Sequence, residues 1–307
     1  MSALADAAHD YVALRRAVGF KLAGVDRILA DFARYLDDRG SDTVTVALAL
    51  AWAGETAGTE RGVARRLGLV RGFARYLQAQ SPGHEVPPSR LFASGRGPRR
   101  VPHLYSAADI AALLHVARTL EPPHWAATVE TVLGLLAVTG MRIGEVLALD
   151  LGDIDWEEGV LVVWLGKFNK SRLVPLAPST LGALDTYVSA RRTLGIRVPT
   201  AAVFLARGGQ RRLSYQAFAK AFRAIRAEVG LSGGPRTPRI HDLRHSFAVQ
   251  TLLDWYREGV DVGAHLPRLS TYLGHVSPAA TYWYLSGAPE LMALAAERLE
   301  PGAGGAS

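Results

Sequence analysis

The sequence contains no cysteine among its 307 residues. This absence excludes disulfide bonds, zinc sites with thiolate ligands and cysteine nucleophiles, and it is typical of proteins in a reducing compartment. Long apolar runs are also missing, and Asp6, Asp10, Arg15 and Arg16 interrupt the region where a signal peptide would have its hydrophobic segment. We therefore expect a cytoplasmic protein.

Acidic residues are scarcer than basic ones, with 28 Asp and Glu against 35 Lys and Arg and a formal net charge of +7. Such an excess favours a polyanionic partner. The excess is also local, because the stretch from Arg207 to Arg239 has eight basic residues and one acid, Glu228. Since this stretch leads directly to His241, it indicates contact with a phosphate backbone rather than an ordinary solvated basic face.

The length and the spacing of apolar residues predict two domains. Apolar residues repeat at helical spacing through the first eighty residues, whereas prolines, glycines and arginines interrupt the pattern from Ser81 to His103. Ser106 and Asp109 then form a capping box that starts a new helix. We expect a helical domain over 1–80, a basic linker over 81–104, a second domain over 105–300 and a flexible tail over 301–307.

The second domain is expected to be mostly helical with one small antiparallel sheet. A β-hairpin is indicated by two β-rich runs, Val160–Trp164 and Arg172–Leu176, on either side of a polar, basic tip. Helical periodicity predicts the other elements, at about 125–140, 179–193, 214–229, 242–257, 266–273 and 287–298. In the first domain, the pairs Arg61/Arg65 and Arg71/Arg75 place like charges one helical turn apart, either around a DNA phosphate or on a solvated face.

Two short motifs of the second domain can each hold an anion. In T-G-M-R-I-G-E, from Thr139 to Glu145, Arg142 follows the glycine that ends an apolar helix, and Glu145 can orient its guanidinium. Taken alone, the pattern is more typical of a surface arginine beside the glycine that ends a helix. At the hairpin tip, Lys167 and Lys170 are flexible cations that can reach into a cleft.

A third motif, H-D-L-R-H, opens a helix directly after the basic stretch. His241, Arg244 and His245 are three and four positions apart, so they share one helix face. The spacing of the two histidines also matches a pair of zinc ligands. Zinc is the weaker interpretation, because the glutamate of the zinc motif and cysteine ligands are both absent and Arg244 would repel a dication.

A fourth motif, Y-L-G-H, ends at His275, and Tyr284 follows nine residues later. Alone, this segment predicts a helix end followed by ordinary aromatic packing. Tyr282 is a rival to Tyr284, but on a helix their side chains point about 200° apart, so only one can face a fixed phosphate.

In this order, the motifs T-G-x-R-x-x-E, G-K-x-x-K-x-R, H-x-L-R-H and L-G-H with the later tyrosine resemble the tyrosine recombinases of the phage integrase family. The likeness is closest to Xer-like and transposon-associated members. It implies a mainly α fold, in which a helical N-terminal domain binds core DNA and a mostly helical α/β domain with a small antiparallel sheet is catalytic. It also implies site-specific recombination of double-stranded DNA through a 3′-phosphotyrosyl intermediate, without metal, ATP or another cofactor. The family works as a tetramer on paired sites, alone or with a partner recombinase.

The resemblance assigns a role to each matching residue. Tyr284 would be the nucleophile, and Arg142, Arg244 and His275 would stabilise the charge that develops on the phosphate. His241 would accept the proton of the tyrosine, and Lys167 would protonate the departing 5′ oxygen.

Some features depart from the family pattern or leave alternatives open. The separation of Arg244 and His275 is longer than in the family, with the extra residues in the segment from Trp255 to Leu266. Lys170 competes with Lys167, which is preferred because it matches the first lysine of the family's hairpin motif. Family spacing selects Tyr284 over Tyr282. Two other functions compete: a monomeric type IB topoisomerase that relaxes supercoils, and a DNA-binding regulator without catalysis.

Overall fold

The computed structural model describes residues 2–20, 22, 24–89, 101–165, 170–193, 201–232, 237–275, 281, 282 and 284. The chain divides into two compact units, one within residues 1–100 and the other beginning at Val101. In the part of the chain that is described, no helix has both the length and the apolar character needed to cross a membrane.

The first unit is helical, as predicted. Its described helices are α1 (Ala3–Ala17), α2 (Val25–Asp37), α3 (Val46–Thr56) and α4 (Glu60–Gln80). The side chains of Ser2, Thr45 and Thr59 cap α1, α3 and α4 by accepting hydrogen bonds from backbone N–H groups that have no partner within the helix. The apolar faces meet in one core, whose largest fully buried members include Trp52, Phe32 and Phe73.

The segment after α4 is held to this unit. His84 accepts a hydrogen bond from the backbone N–H of Val44 at 3.1 Å, and Arg71 donates to the carbonyls of Pro87 and Pro88 at 2.7 and 2.6 Å. Arg71 therefore fixes residues 84–88, here called the proline-rich strap. This contact is neither of the two alternatives that its spacing to Arg75 left open, a DNA phosphate or a solvated face. Residues 84–88 are part of the first unit rather than a free linker, because their polar groups are satisfied within it.

The second unit combines helices with one sheet. It contains α5 (Ala107–Arg118), α6 (Pro123–Thr139), α7 (Ile143–Ala148), β1 (Ile154–Asp155), β2 (Val160–Leu165), β3 (Lys170–Pro175), α8 (Pro178–Thr193), α9 (Tyr215–Glu228), α10 (Ile240–Arg257) and α11 (Val262–Leu273). The predicted capping box of Ser106 and Asp109 starts α5. The strands form an antiparallel sheet in the order β1-β2-β3, with Val162 opposite Leu173.

The alternation of side chains along the strands separates a buried face from an exposed one. Leu161, Val163 and Val174 are buried in the main core of the unit, whereas Trp164 and Leu173 are exposed. Arg172 lies on the same face of β3 as Val174, so this strand carries a charged side chain toward the interior. A buried guanidinium requires hydrogen-bond acceptors or an opposite charge, and the partners of Arg172 belong to the candidate active site.

The structure confirms the predicted mainly α architecture and the hairpin, with three differences. The six-residue helix α7 was not among the predicted helices. The two-residue strand β1 is too short to leave a pattern in the sequence. Helix α11 begins at Val262, earlier than the predicted 266, because Asp261 caps it. The segment from Trp255 to Leu266 is therefore the end of α10, a turn and the first turn of α11. The predicted helix at 287–298 and the tail 301–307 lie outside the described residues.

Candidate active site

Arg142 is placed by the turn that joins α6 to α7. Helix α6 ends at Gly140, whose φ of 59° and ψ of 17° lie in the left-handed region. Most L-residues avoid this region at a cost of roughly 1 kcal/mol. The reversal buries Met141 and leaves Arg142 as the N-cap residue of α7, one turn before Glu145.

Gly140 is also required for packing, and we expect Gly140→Ala to destabilise the second unit by about 1–3 kcal/mol. A Cβ at this position would lie 2.4 Å from Cδ1 of Phe247, in addition to the strain of a positive φ. The measurement is chemical denaturation monitored by circular dichroism. Gly134→Ala is the matched control, because a Cβ on Gly134 in α6 meets nothing within 4 Å and should stabilise the helix by about 0.5–1 kcal/mol. Equal effects of the two substitutions would contradict this account.

Glu145 links two arginines from different elements. One carboxylate oxygen accepts from Arg142 Nη1 at 2.7 Å and Arg172 Nη1 at 3.1 Å, and the other accepts from Arg172 Nη2 at 2.7 Å and the backbone N–H of Arg142 at 2.9 Å. Burial on its own would raise the pKa of Glu145, but hydrogen bonds from Arg172 and Arg142 lower it to about 2. The carboxylate is therefore ionised at neutral pH and holds both guanidinium groups.

Arg244 lies at the centre of the site and is only 2% exposed. Its Nη1 donates to the carbonyl of Gly140 at 2.7 Å, and its Nη2 donates to the carbonyl of Leu273 at 2.5 Å. Burial, followed by the charge of Arg142, lowers the pKa of Arg244 to about 10. Arg244 remains protonated at neutral pH, in surroundings that carry more positive charge than negative.

Three histidines surround these arginines. His241 and His245 project from the first turns of α10, with ring centroids 4.8 Å apart, and His275 follows the glycine that ends α11. Burial and neighbouring positive groups lower the pKa of all three. The positive charge of Arg244 helps to lower the pKa of His241 and His275, and the neighbouring His241 helps to lower that of His245. The pKa values of His245 and His275 fall to about 4. At neutral pH the imidazoles are therefore uncharged, and each can donate one hydrogen bond and accept another.

The structure distinguishes the two candidate tyrosines. Tyr284 is 3% exposed, and its ring centroid lies 6.1 Å from that of His275 and 5.4 Å from that of His245. Tyr282 is 53% exposed. His275 is held by a contact of 2.7 Å between Nδ1 and the hydroxyl of Thr281, which is buried. Tyr284 thus lies among the histidines while Tyr282 faces solvent.

Of the residues predicted for the site, the structure assembles Arg142, Arg244, His275 and Tyr284, with His241 next to His245 at the start of α10. Lys167 lies outside the described residues, as does the side chain of Lys170. Arg172 received no role from the sequence, although its place on the inward face of β3 was a signal that it needed partners. Among the described residues, no three His, Asp or Glu side chains are grouped as metal ligands.

The chain is similar to known proteins along most of its length. The model of the phage integrase family matches residues 105–290, more than half of the chain. The integrase/recombinase-like protein y4rB of Sinorhizobium fredii is 41% identical over 313 residues, which cover 98% of each chain. The tyrosine recombinase XerD of Mycobacterium tuberculosis is 32% identical over 298 residues, which cover 90% of each.

A solved structure shares the fold at low sequence identity. The structure of a lambda integrase tetramer bound to a Holliday junction aligns with a TM-score of 0.61 and 16% identity, covering 91% of this chain and 76% of that one. The family match and the two relatives are decisive. The chain belongs to the phage integrase family and is a tyrosine recombinase, an enzyme that cuts and rejoins DNA strands.

Proposed function

We propose that this recombinase cleaves double-stranded DNA at specific sites by attack of Tyr284 on a phosphodiester that Arg142, Arg244 and His275 hold. The observation that carries the proposal is that Arg142 and Arg244 bind backbone carbonyls directly before His275, where Arg142, Arg172 and Arg244 together exceed the single negative charge of Glu145. Burial and the charge of Arg142 lower the pKa of Arg244. Burial and the charges of Arg244 and Arg142 likewise lower the pKa of His275. The carboxylate of Glu145 already accepts from two guanidinium groups. A bound phosphate would supply the missing negative charge at this position.

The reaction is a transesterification whose atoms and protons balance within the site. A bond forms between the phenolic oxygen of Tyr284 and phosphorus, while the bond from phosphorus to the 5′ oxygen breaks. His241 accepts the phenolic proton. It can do so because the lowered pKa of its imidazole leaves the ring unprotonated at neutral pH. Lys167, assigned by its match to the hairpin motif, donates a proton to the departing oxygen. The 3′-phosphotyrosyl link retains the bond energy, so a 5′ hydroxyl from another strand can reverse the step.

The contact of His275 with Thr281 supports its role at the phosphate. If the buried hydroxyl of Thr281 donates to Nδ1, the single proton of the neutral ring resides on Nε2. That N–H is then available to a non-bridging phosphate oxygen. Preorganised donors of this kind stabilise the transition state because they need no reorientation during the reaction.

The first unit is proposed to bind core DNA. Arg61, Arg65 and Arg75 are exposed along α4, where they can contact phosphates, while Arg71 is engaged with the proline-rich strap. A homotetramer on paired sites, alone or with a partner recombinase, is proposed by analogy with the lambda integrase tetramer. A cytoplasmic location also remains a prediction.

The test of this function uses DNA that flanks the gene, because inverted half-sites there would identify the substrate. We expect two duplexes that carry such a site to yield Holliday junctions and recombinant strands. Both products should be absent when the half-sites are scrambled. Relaxation of supercoiled DNA without any strand exchange would instead indicate a topoisomerase and overturn the proposal.

A further inference from the structure

Three arginines converge on the C-terminal end of α11. Arg172 donates to the carbonyl of Tyr272 at 2.8 Å, Arg244 to that of Leu273 at 2.5 Å and Arg142 to that of Gly274 at 2.8 Å. Helix-end carbonyls lack partners within the helix and carry partial negative charge, so cations stabilise them. His275 is the next residue. Its position therefore depends on contacts from three separate motifs of the sequence.

Arg172 differs from the other two in how its donors are used. Burial does not separate them, because the side chain of Arg172 is 7% exposed, that of Arg142 is 37% exposed and Arg244 is 2% exposed. Its Nε binds the carbonyl of Tyr272, and both terminal nitrogens bind the carboxylate of Glu145. Every nitrogen of the guanidinium thus has a partner within the protein. Arg172 is not placed to grip a phosphate, but it contacts the groups that orient Arg142 and His275.

The charges explain why a second arginine on Glu145 matters. Glu145 carries one negative charge, and Arg142 and Arg172 each carry one positive charge, so a positive charge remains for a phosphate. Without Arg172, Glu145 would neutralise Arg142 alone, and the pair would have no net charge. The buried carboxylate would also draw Arg142 toward itself, because two of its hydrogen bonds would be lost.

We infer that Arg172 is a positioning residue for strand cleavage, which keeps the charge of Arg142 available to the scissile phosphate and holds the end of α11 beneath His275. The inference rests on the proposed roles of Arg142 and His275 as phosphate ligands. Arg172 acts through Glu145 and the Tyr272 carbonyl and does not touch the DNA.

The experiment compares Arg172→Met and Arg172→Lys with Arg191→Met. Arg191 is a matched control in the same unit, because it is 8% exposed and donates to the carbonyls of Ala202 and Val203, which are not part of the site. Each variant is given a nicked DNA substrate, with either a normal phosphodiester or an uncharged methylphosphonate at the scissile position. The single-turnover rate of covalent adduct formation and the affinity for half-site DNA are measured, together with thermal unfolding.

We expect Arg172→Met to slow cleavage of the phosphodiester roughly 100-fold, as for a misplaced catalytic group. The same variant should lose much less of its cleavage rate on the methylphosphonate. The transition state of that substrate develops less negative charge, so it depends less on charge stabilisation by Arg142. Half-site affinity should not change. Arg172→Lys retains the charge but not the forked contact, so it should recover part of the phosphodiester rate.

Arg191→Met should lower the unfolding temperature and affect both substrates alike. If Arg172→Met behaves in the same way as Arg191→Met, Arg172 is merely structural and the inference is wrong. A wild-type protein that forms no adduct would overturn the proposed nucleophile instead. In that case Arg172 can still be tested with inorganic sulfate as a probe of the anion site. Sulfate should raise the unfolding temperature of the wild-type protein and of Arg191→Met but not that of Arg172→Met.

Discussion

Tyr284→Phe is expected to abolish the covalent link between this recombinase and DNA, with no adduct on a nicked suicide substrate under conditions where the wild-type protein is fully trapped. The phenolic hydroxyl is the only group removed, and its oxygen is the proposed nucleophile. Tyr284 is buried against His275 and His245, so phenylalanine should preserve the packing. The adduct is measured on denaturing gels and the modified residue is identified by mass spectrometry.

Tyr282→Phe is the matched control for this experiment. It lies two residues away and makes the same chemical change, but its side chain is 53% exposed. We expect the adduct to form at the wild-type rate in this variant. The reaction should also proceed in EDTA, because the proposed charge stabilisation comes from arginines and histidines. An adduct on Tyr282, or a requirement for a metal ion, would show that the site is assigned incorrectly.

Arg244→Lys is expected to reduce the rate of adduct formation by about 100- to 1000-fold, the usual effect of removing one oxyanion donor. A guanidinium can bind the carbonyls of Gly140 and Leu273 and still present further N–H groups to a phosphate. An ammonium is a compact point charge and cannot serve three acceptors in that planar geometry. A carbonyl left without a partner in this buried position costs about 1–3 kcal/mol, so unfolding must be measured in parallel.

Arg212→Lys separates the loss of catalysis from the loss of stability. Arg212 donates to the carbonyls of Leu147 and Leu149, and it also binds Asp150, so it uses its guanidinium in a similar way outside the site. We expect Arg212→Lys to lower stability while adduct formation per folded molecule stays close to wild type. If both variants lose cleavage to the same extent, Arg244 has no special relation to the phosphate.

Much of the fold could be predicted because its signals are local. Helical spacing of apolar residues identified α6, α8, α9 and α10 to within about two residues, and the capping box of Ser106 and Asp109 located α5. The hairpin followed from two β-rich runs around a basic tip. The strand β1 and the start of α11 were missed, since a two-residue strand has no periodicity and the helix begins at a capping aspartate in a less regular stretch.

The order of the motifs along the sequence was sufficient to recognise the tyrosine recombinases, although the separation of Arg244 and His275 is longer than in the family. It also selected Arg142, His241, Arg244, His275 and Tyr284 as the group to examine. Only tertiary structure decided how these groups meet. Family spacing had already favoured Tyr284 over Tyr282, and tertiary packing then separates the two side chains, because Tyr284 is buried beside His245 and His275 whereas Tyr282 is exposed. The contacts of Arg172, Arg244 and Arg142 with three successive carbonyls join residues as many as 132 positions apart, and such long-range pairs leave no local pattern in a single sequence.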